Sequence, residues 1–165
     1  MTLSSAIQSL DEISADPHEG LPDELFLFVS RITPLINVDL LIQDEEHRTL
    51  LTWRSDQDYG AGWHVPGGII RYKETAGRRI RETAREELGA SVEFEPAPVA
   101  VMESFSPERN RGHFISLLYR CHLVSEPDPR RQALTAPFQP GSWRWHTGPP
   151  PDLLKVHDMY RPFLG

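Results

Sequence analysis

Residues 67 to 90, GGIIRYKETAGRRIRETAREELGA, constrain the fold of this chain more than any other segment. Gly67 and Gly68 open it, Gly89 closes it, and between them Ala76, Ile80, Ala84 and Leu88 recur at four-residue steps. With about 100° between successive residues, those side chains fall on one stripe, so the spacing predicts a helix over residues 75–88 packed on a sheet. Gly89 is placed to cap its C-terminus. On the remaining surface Glu82 and Glu86 fall one turn apart with Glu87 beside them, among Arg78, Arg79, Arg81 and Arg85. Stacked carboxylates repel by about a few tenths of a kcal/mol. The arginines of an ordinary solvated helix relieve that repulsion, and so does a divalent cation. The glycines favour the cation, because a glycine turn leaves main-chain carbonyls accessible. Magnesium takes carboxylate and carbonyl oxygens while keeping waters and substrate phosphates.

The elements around this helix alternate in type. Two short helices are predicted at residues 3–13 and 22–32, with Pro22 in a first turn and Pro34 as a stop. LINVDLLI, residues 35–42, reads as a buried strand interrupted by Asp39, and RTLLTWR, residues 48–54, as its hairpin partner. SDQDYGAG is a polar loop leading to WHVPGG. Further strands are expected at 91–95, 98–105 and 113–124, the last two joined by SPERNRG. A proline-rich stretch from Pro127 to Pro140, a strand SWRWH and a final helix near Asp152 to Tyr160 complete the chain. This order predicts an α/β single domain. At 165 residues and 39% hydrophobic content, the chain can bury a core of its own.

Composition excludes several classes of function. The single cysteine, Cys121, rules out an internal disulfide framework and a multi-cysteine zinc site. A formal charge of -7, from 17 basic and 24 acidic residues, argues against binding nucleic acid through its phosphates. No apolar run approaches the roughly 20 residues of a membrane span, and MTLSSAIQSLDEIS has no secretory pattern, so a cytoplasmic location without membrane partners is expected.

The 67–90 segment resembles the Nudix box, G-x5-E-x7-R-E-U-x-E-E-x-G-U with U a bulky aliphatic. Gly68, Glu74, Glu86, Glu87 and Gly89 stand at its fixed positions. Glu82 and Thr83 replace its Arg-Glu, and Ala84 and Ala90 its aliphatics. The resemblance implies an α/β/α sandwich with a mixed β-sheet, formed by residues 1–165 as one Nudix domain with 1–33 as an N-terminal helical extension. It also implies hydrolysis of a nucleoside diphosphate derivative assisted by Mg2+ or Mn2+, with Glu86 and Glu87 at the metal and Glu74 orienting the helix. A threonine hydroxyl is a poor substitute for a carboxylate on a hard cation, which makes Thr83 the most consequential departure.

TPLINVDLLI and WHVPGG resemble one branch of that family, the GDP-mannose mannosyl hydrolases, in which water attacks the sugar carbon and nucleoside diphosphate leaves. Over residues 33 to 145 the resemblance implies a metal held by the Gly67 carbonyl, Glu87 and Gln139, substrate contacts from Asp39 and Arg54, and a homodimer. Pro140 stands where the branch has its base histidine, and Ile69 and Glu82 where it has arginines. His113, at the end of a loop carrying Arg109 and Arg111, is the leading replacement base, followed by His146, His64 and His157. Trp53, Trp63, Trp143 and Trp145 divide between core and pocket. Two other readings stay open: attack at phosphorus, and a domain that binds a nucleotide sugar without turnover.

Overall fold

A computed structural model describes residues 2–14, 16–109 and 111–165. Among the described residues, eight strands form two sheets. The first is mixed, in the order β4 (Gly67–Ile69), β1 (Leu35–Ile42), β7 (His113–Leu123), β5 (Val92–Phe94), with β6 (Ala100–Phe105) also paired to β7. β1 and β7 run parallel, while β4, β5 and β6 pair antiparallel. The second sheet orders β3 (Gly60–His64), β2 (Thr49–Asp56) and β8 (Trp143–His146).

Alternation along β1 explains the layering. Leu40 and Ile42 pack with Ile80, Ala84 and Leu88 of the predicted helical stripe. Leu41, on the other face, packs with Leu51, Trp63, Tyr160 and Leu164. Helical layers thus cover both sides of the strands, as expected of the α/β/α arrangement. Trp63 and Trp143 are buried, and Trp53 and Trp145 pack against the same two cores.

Several local expectations are corrected. Residues 48–54 do not form a hairpin ladder with β1. A strand buried on both faces needs partners along both edges, and β4 and β7 take those places. β2 leaves for the second sheet after one isolated bridge, Gln43 to Thr49. The predicted polar loop at 55–62 contracts to a turn over 57–59, because Asp56 Oδ1 accepts from the Asp58 and Tyr59 N–H groups. The predicted 75–88 helix is α3 (Ala76–Thr83) followed by a π-helical turn, Ala84–Leu88, which ends on Gly89 at φ 64°. That wider turn carries Glu86 and Glu87, and Arg85 bridges Glu82 and Glu86.

At the N-terminus, α1 (Leu3–Ile13) matches its prediction, whereas α2 is shorter, Asp23–Val29, with Pro22 at the N-cap. The final helix is a 3-10 helix over Lys155–Phe163. Asn110, within the predicted SPERNRG loop, lies outside the described residues. Among those described, no helix is long and apolar enough to cross a membrane.

Candidate active site

The glycine turn and box helix are locked together by a buried ion pair. Glu74, just before α3, accepts from Arg79 Nε at 2.9 Å and Nη2 at 3.0 Å and from the Arg71 N–H at 2.9 Å. Burial alone would raise the Glu74 pKa, but the Arg79 and Arg71 hydrogen bonds prevail and hold it below its ordinary value. Gly68 is where α3 meets β4. A Cβ there would collide with Thr83 Oγ1 and stand 2.8 Å from Arg79 Cδ. Thr83 occupies the position of the missing box carboxylate, and its hydroxyl is buried without a hydrogen-bond partner.

Glu87 turns inward from the π turn. Its Oε1 accepts from the Gly67 N–H at 3.2 Å and its Oε2 from the Thr52 hydroxyl at 2.8 Å. The β1–β4 ladder shows where the Gly67 carbonyl faces. Leu40 N–H donates to the Pro66 carbonyl and Ile70 N–H to that of Ile36, so Gly67, opposite Asp39, sits in a pair without ladder bonds. In such a pair both N–H and C=O turn away from the neighbouring strand. The carbonyl therefore turns to the same side as the N–H held by Glu87.

The protons along this chain can be counted. His64 Nδ1 lies 2.9 Å from the Val65 carbonyl, so it carries hydrogen, and Nε2 lies 3.0 Å from Thr52 Oγ1. Three links, from Val65 to His64, His64 to Thr52 and Thr52 to Glu87, need a proton each. A neutral imidazole and one hydroxyl supply two of them, so one further proton resides on Glu87 or His64. Burial, helped by Arg54, pushes His64 down to about 3, whereas burial raises Glu87 despite its Thr52 and Gly67 hydrogen bonds. Both shifts favour Glu87 over His64 as its holder; with the proton there, Glu87 Oε2 donates to Thr52 and the Thr52 hydroxyl to His64 Nε2, whereas the ionised carboxylate accepts from Thr52. A cation bound at Glu87 would displace the proton.

Gly67 also borders a cleft of about 670 Å3, to which Asp39, Arg54, Arg71, Arg79 and His157 contribute. Asp39 is almost fully buried, accepting from the Tyr160 hydroxyl at 2.5 Å and Asn37 Nδ2 at 2.7 Å. Burial, opposed by the Tyr160, Ser116 and Asn37 hydrogen bonds and reinforced by Glu87, raises it to about 7. A Cβ on Gly67 would collide with its carboxyl, so glycine is required there by close approach. Arg54 ion-pairs with Asp56 at 3.3 Å. His157 Nδ1 accepts from the Val65 N–H, which leaves Nε2 as a donor when neutral, and burial keeps it neutral. The far wall comes from residues that precede β1, including Glu19, Leu21, Asp23 and Phe26.

The remaining sequence candidates are dispersed. Glu86 is half-exposed and held between Arg85 and Arg79. Gln139 lies exposed on the turn before β8, its carbonyl accepting from Ser142 N–H. That turn is tied to Trp53, the strand neighbour of Thr52. The structure does not bring His113 to the cleft: its Nε2 pairs with Glu103 Oε1 at 2.9 Å across β6 and β7. His146 packs on Trp63 at 4.6 Å, and burial pushes its pKa down to about 4. Among the described residues no tryptophan lines the cleft, and no His, Cys, Asp and Glu cluster of three or more could hold a metal.

Sequence reasoning missed Thr52 and Arg131. Arg131 donates from both Nη1 and Nη2 to the Glu86 carbonyl at 3.2 Å and from Nε to the Gly141 carbonyl. It ties the end of the box helix to the turn bearing Gln139. No sequence signal marks it, since 45 residues separate it from Glu86.

Two sheets flanked by helices, with a glycine turn holding an acidic helix terminus, define a domain of the α/β/α class. The NUDIX domain family matches residues 33–156, and this chain belongs to that family. Its fold is similar to that of the MutT NUDIX hydrolase from Burkholderia pseudomallei, at TM-score 0.63 and 21% identity over 81% of this chain and 99% of that one. A MutT protein from Methanosarcina mazei is also similar, at TM-score 0.59 and 18% identity over 80% and 91%. In sequence, the chain is 34% identical over 79 residues to the low-salt glycan biosynthesis protein Agl8 of Haloferax volcanii, covering 48% of this chain and 50% of that protein. The chain thus spans about half the length of that curated relative.

Proposed function

We propose that this protein hydrolyses a nucleoside diphosphate sugar of the GDP-mannose type with Mg2+ or Mn2+, releasing nucleoside diphosphate and free sugar. The observation that carries this reading is the Glu87 carboxylate held on the Gly67 backbone at the edge of a cleft bordered by Arg54, Arg71 and Arg79. One inward carboxylate with a main-chain oxygen fits a hard cation that keeps water and phosphate oxygens, and Gln139 is the third protein ligand in this proposal. When bound, the ion supplies neutralising charge for a diphosphate leaving group.

The chain's own groups do the rest. Arg54 and Arg71 offer forked N–H donors to phosphate oxygens. Asp39 and the His157 Nε2–H face the same cleft and bind hydroxyls of the sugar. Thr83 in place of a carboxylate reduces the acidic ligand set, which suits attack at carbon, where the main electrostatic need is on the leaving group. The glycan-biosynthesis name of that relative, matched over half its length, also favours a sugar moiety. A cytoplasmic homodimer belongs to the same proposal, with sedimentation as its test.

Purified protein incubated with GDP-mannose, other nucleotide sugars and magnesium is expected to release nucleoside diphosphate and free sugar, and chelator to stop it. Release of nucleoside monophosphate would move the attack to phosphorus. Ligand-induced thermal stabilisation without turnover would make the domain a binding module. Unchanged turnover and metal affinity in Glu87→Gln would remove the metal assignment.

A further inference from the structure

A second group of basic side chains gathers beside the cleft, away from Glu87. It is built by the tight turn at 57–59 and the β6–β7 loop. The Asp56 carboxylate fixes Tyr59 by accepting its N–H at 2.8 Å. The loop closes through a Ser106 N–H to Gly112 carbonyl bond of 2.7 Å, where a Cβ on residue 112 would collide with the Ser106 carbonyl oxygen. Glycine is therefore what permits the closure that presents Arg109 and Arg111.

The Arg109 guanidinium lies 5.0 Å from the Tyr59 ring centre and that of Arg54 5.3 Å from the same ring. Arg111 lies over Phe26 at 4.9 Å, and its Nε is buried with no hydrogen-bond partner. Among the described residues two carboxylates pair with these three cations, Asp56 with Arg54 at 3.3 Å and Asp58 with Arg111 at 3.7 Å. Arg109 is left without one. Tyr59, Arg109 and Arg111, with Asp58, border a recess of about 270 Å3, and Tyr59 and Arg111 border the main cleft as well. At about 30 Å3 per water, the recess has room for roughly nine, enough for a phosphate or a carboxylate with its carbon frame.

Crowded guanidiniums repel each other, and a desolvated N–H without an acceptor carries a cost. An anion in the recess relieves the repulsion and, once Arg111 turns outward from Asp58, takes the Nε–H as well, and the planar guanidinium fork matches carboxylate and phosphate geometry. We infer that this recess is a second anion subsite, taking a carboxylate or phosphate that the substrate carries in addition to its diphosphate. Asp58 exchanges its longer contact with Arg111 for solvent when the anion enters. The inference rests on the proposed nucleotide substrate and turns the preference from GDP-mannose itself, whose one anionic group is the diphosphate, to nucleotides that carry a further acid group.

The test compares matched pairs that differ by one anionic group: UDP-glucose with UDP-glucuronic acid for a carboxylate, and dephospho-coenzyme A with coenzyme A for a phosphate. Dissociation constants are measured by calorimetry with magnesium, and kcat/KM wherever turnover occurs. In at least one pair the acidic member is expected to bind about 10-fold or more tightly. That ratio, which cancels any general loss of affinity, is expected to fall to within about 2-fold of unity in Arg109→Gln and Arg111→Gln and to stay intermediate in Arg111→Lys. Thermal unfolding of each variant confirms a folded protein, and the lysine variant keeps the test decisive if the glutamine variant fails to fold. The pair that shows the preference identifies the anion. Ratios near unity in both pairs, or a preference that survives both glutamine variants, would overturn the inference. Preference in binding without hydrolysis of any nucleotide would support the subsite while removing the proposed reaction, so the two failures are distinct.

Discussion

Glu74→Gln tests whether the buried ion pair, rather than the apolar stripe alone, fixes the box helix. The Glu74 and Arg79 side chains are 4% and 6% exposed, and their two hydrogen bonds measure 2.9 and 3.0 Å. The amide keeps the shape but removes the charge, leaving Arg79 buried with only Glu86, 3.7 Å away, as a carboxylate neighbour. Breaking a buried pair costs about 3 to 5 kcal/mol. The remaining Glu86 favours the lower end. At about 2 to 4 °C per kcal/mol for a chain of this size, a loss of about 3 kcal/mol lowers the melting temperature by roughly 6 to 12 °C. Replacing both partners, Glu74→Leu with Arg79→Met, removes the stranded charge and is expected to recover most of the loss.

The acid limb of stability gives a second measurement of the same pair. Glu74 has a pKa lowered from 4.5, so the unfolded chain takes up its proton first as pH falls. Stability from the pair is complete above 4.5 and is lost as pH drops through the depressed folded value. Scanning calorimetry of wild type and both variants from pH 3 to 7 measures all of this. A Glu74→Gln shift under about 2 °C, typical of an exposed pair, would refute the reasoning, as would a double variant no more stable than the single one.

Three other perturbations test separate links. Asp39, raised to about 7 against 3.8 for an ordinary carboxyl, keeps its proton in the fold after the unfolded chain has lost its own. Stability therefore declines by up to about 1.4 kcal/mol per pH unit across that window, and Asp39→Asn is expected to flatten the slope in denaturant titrations between about pH 4 and 7. Magnesium binding is expected to release a proton from the Glu87–Thr52–His64 chain, so that affinity rises with pH; calorimetry in buffers of different ionisation enthalpy detects it, and Glu87→Gln should abolish it. Arg131→Gln frees the Glu86 and Gly141 carbonyls and is expected to weaken magnesium binding by about 10-fold, as loss of an outer-sphere support does, which a metal titration checks.

Much of the fold was legible where local chemistry decides it. The stripe at Ala76, Ile80, Ala84 and Leu88 and the φ 64° cap at Gly89 appear where the spacing placed them. The failures lie where strands choose partners. LINVDLLI showed that β1 is buried but not between which neighbours, and proximity in sequence favoured 48–54 over the distant β7. The passage from α to π at Ala84 was likewise hidden, because the same apolar residues face inward in either geometry.

The site divides along the same line. Glu74, Glu87, Gly67, Gly68 and Asp39 stood out as candidates because a glycine pair, a fixed interval and a charge inside an apolar strand are each anomalous alone, and the structure brings them to one end of β4 and the box helix. Thr52 and Arg131 are ordinary residues that acquire meaning only from the fold, one as the hydroxyl between Glu87 and His64, the other as the bridge from Glu86 to Gly141. Thr83 joins the two kinds. Its identity was conspicuous as a departure from the box, but only the structure shows its hydroxyl buried, unpartnered and pressed against Gly68. A carboxylate there would need space that Gly68 alone leaves open and a second cation to neutralise it in a site already holding Glu87. Restoring it by Thr83→Glu is therefore expected to destabilise the metal-free protein, and magnesium should recover part of that loss if the enlarged acidic set binds the ion.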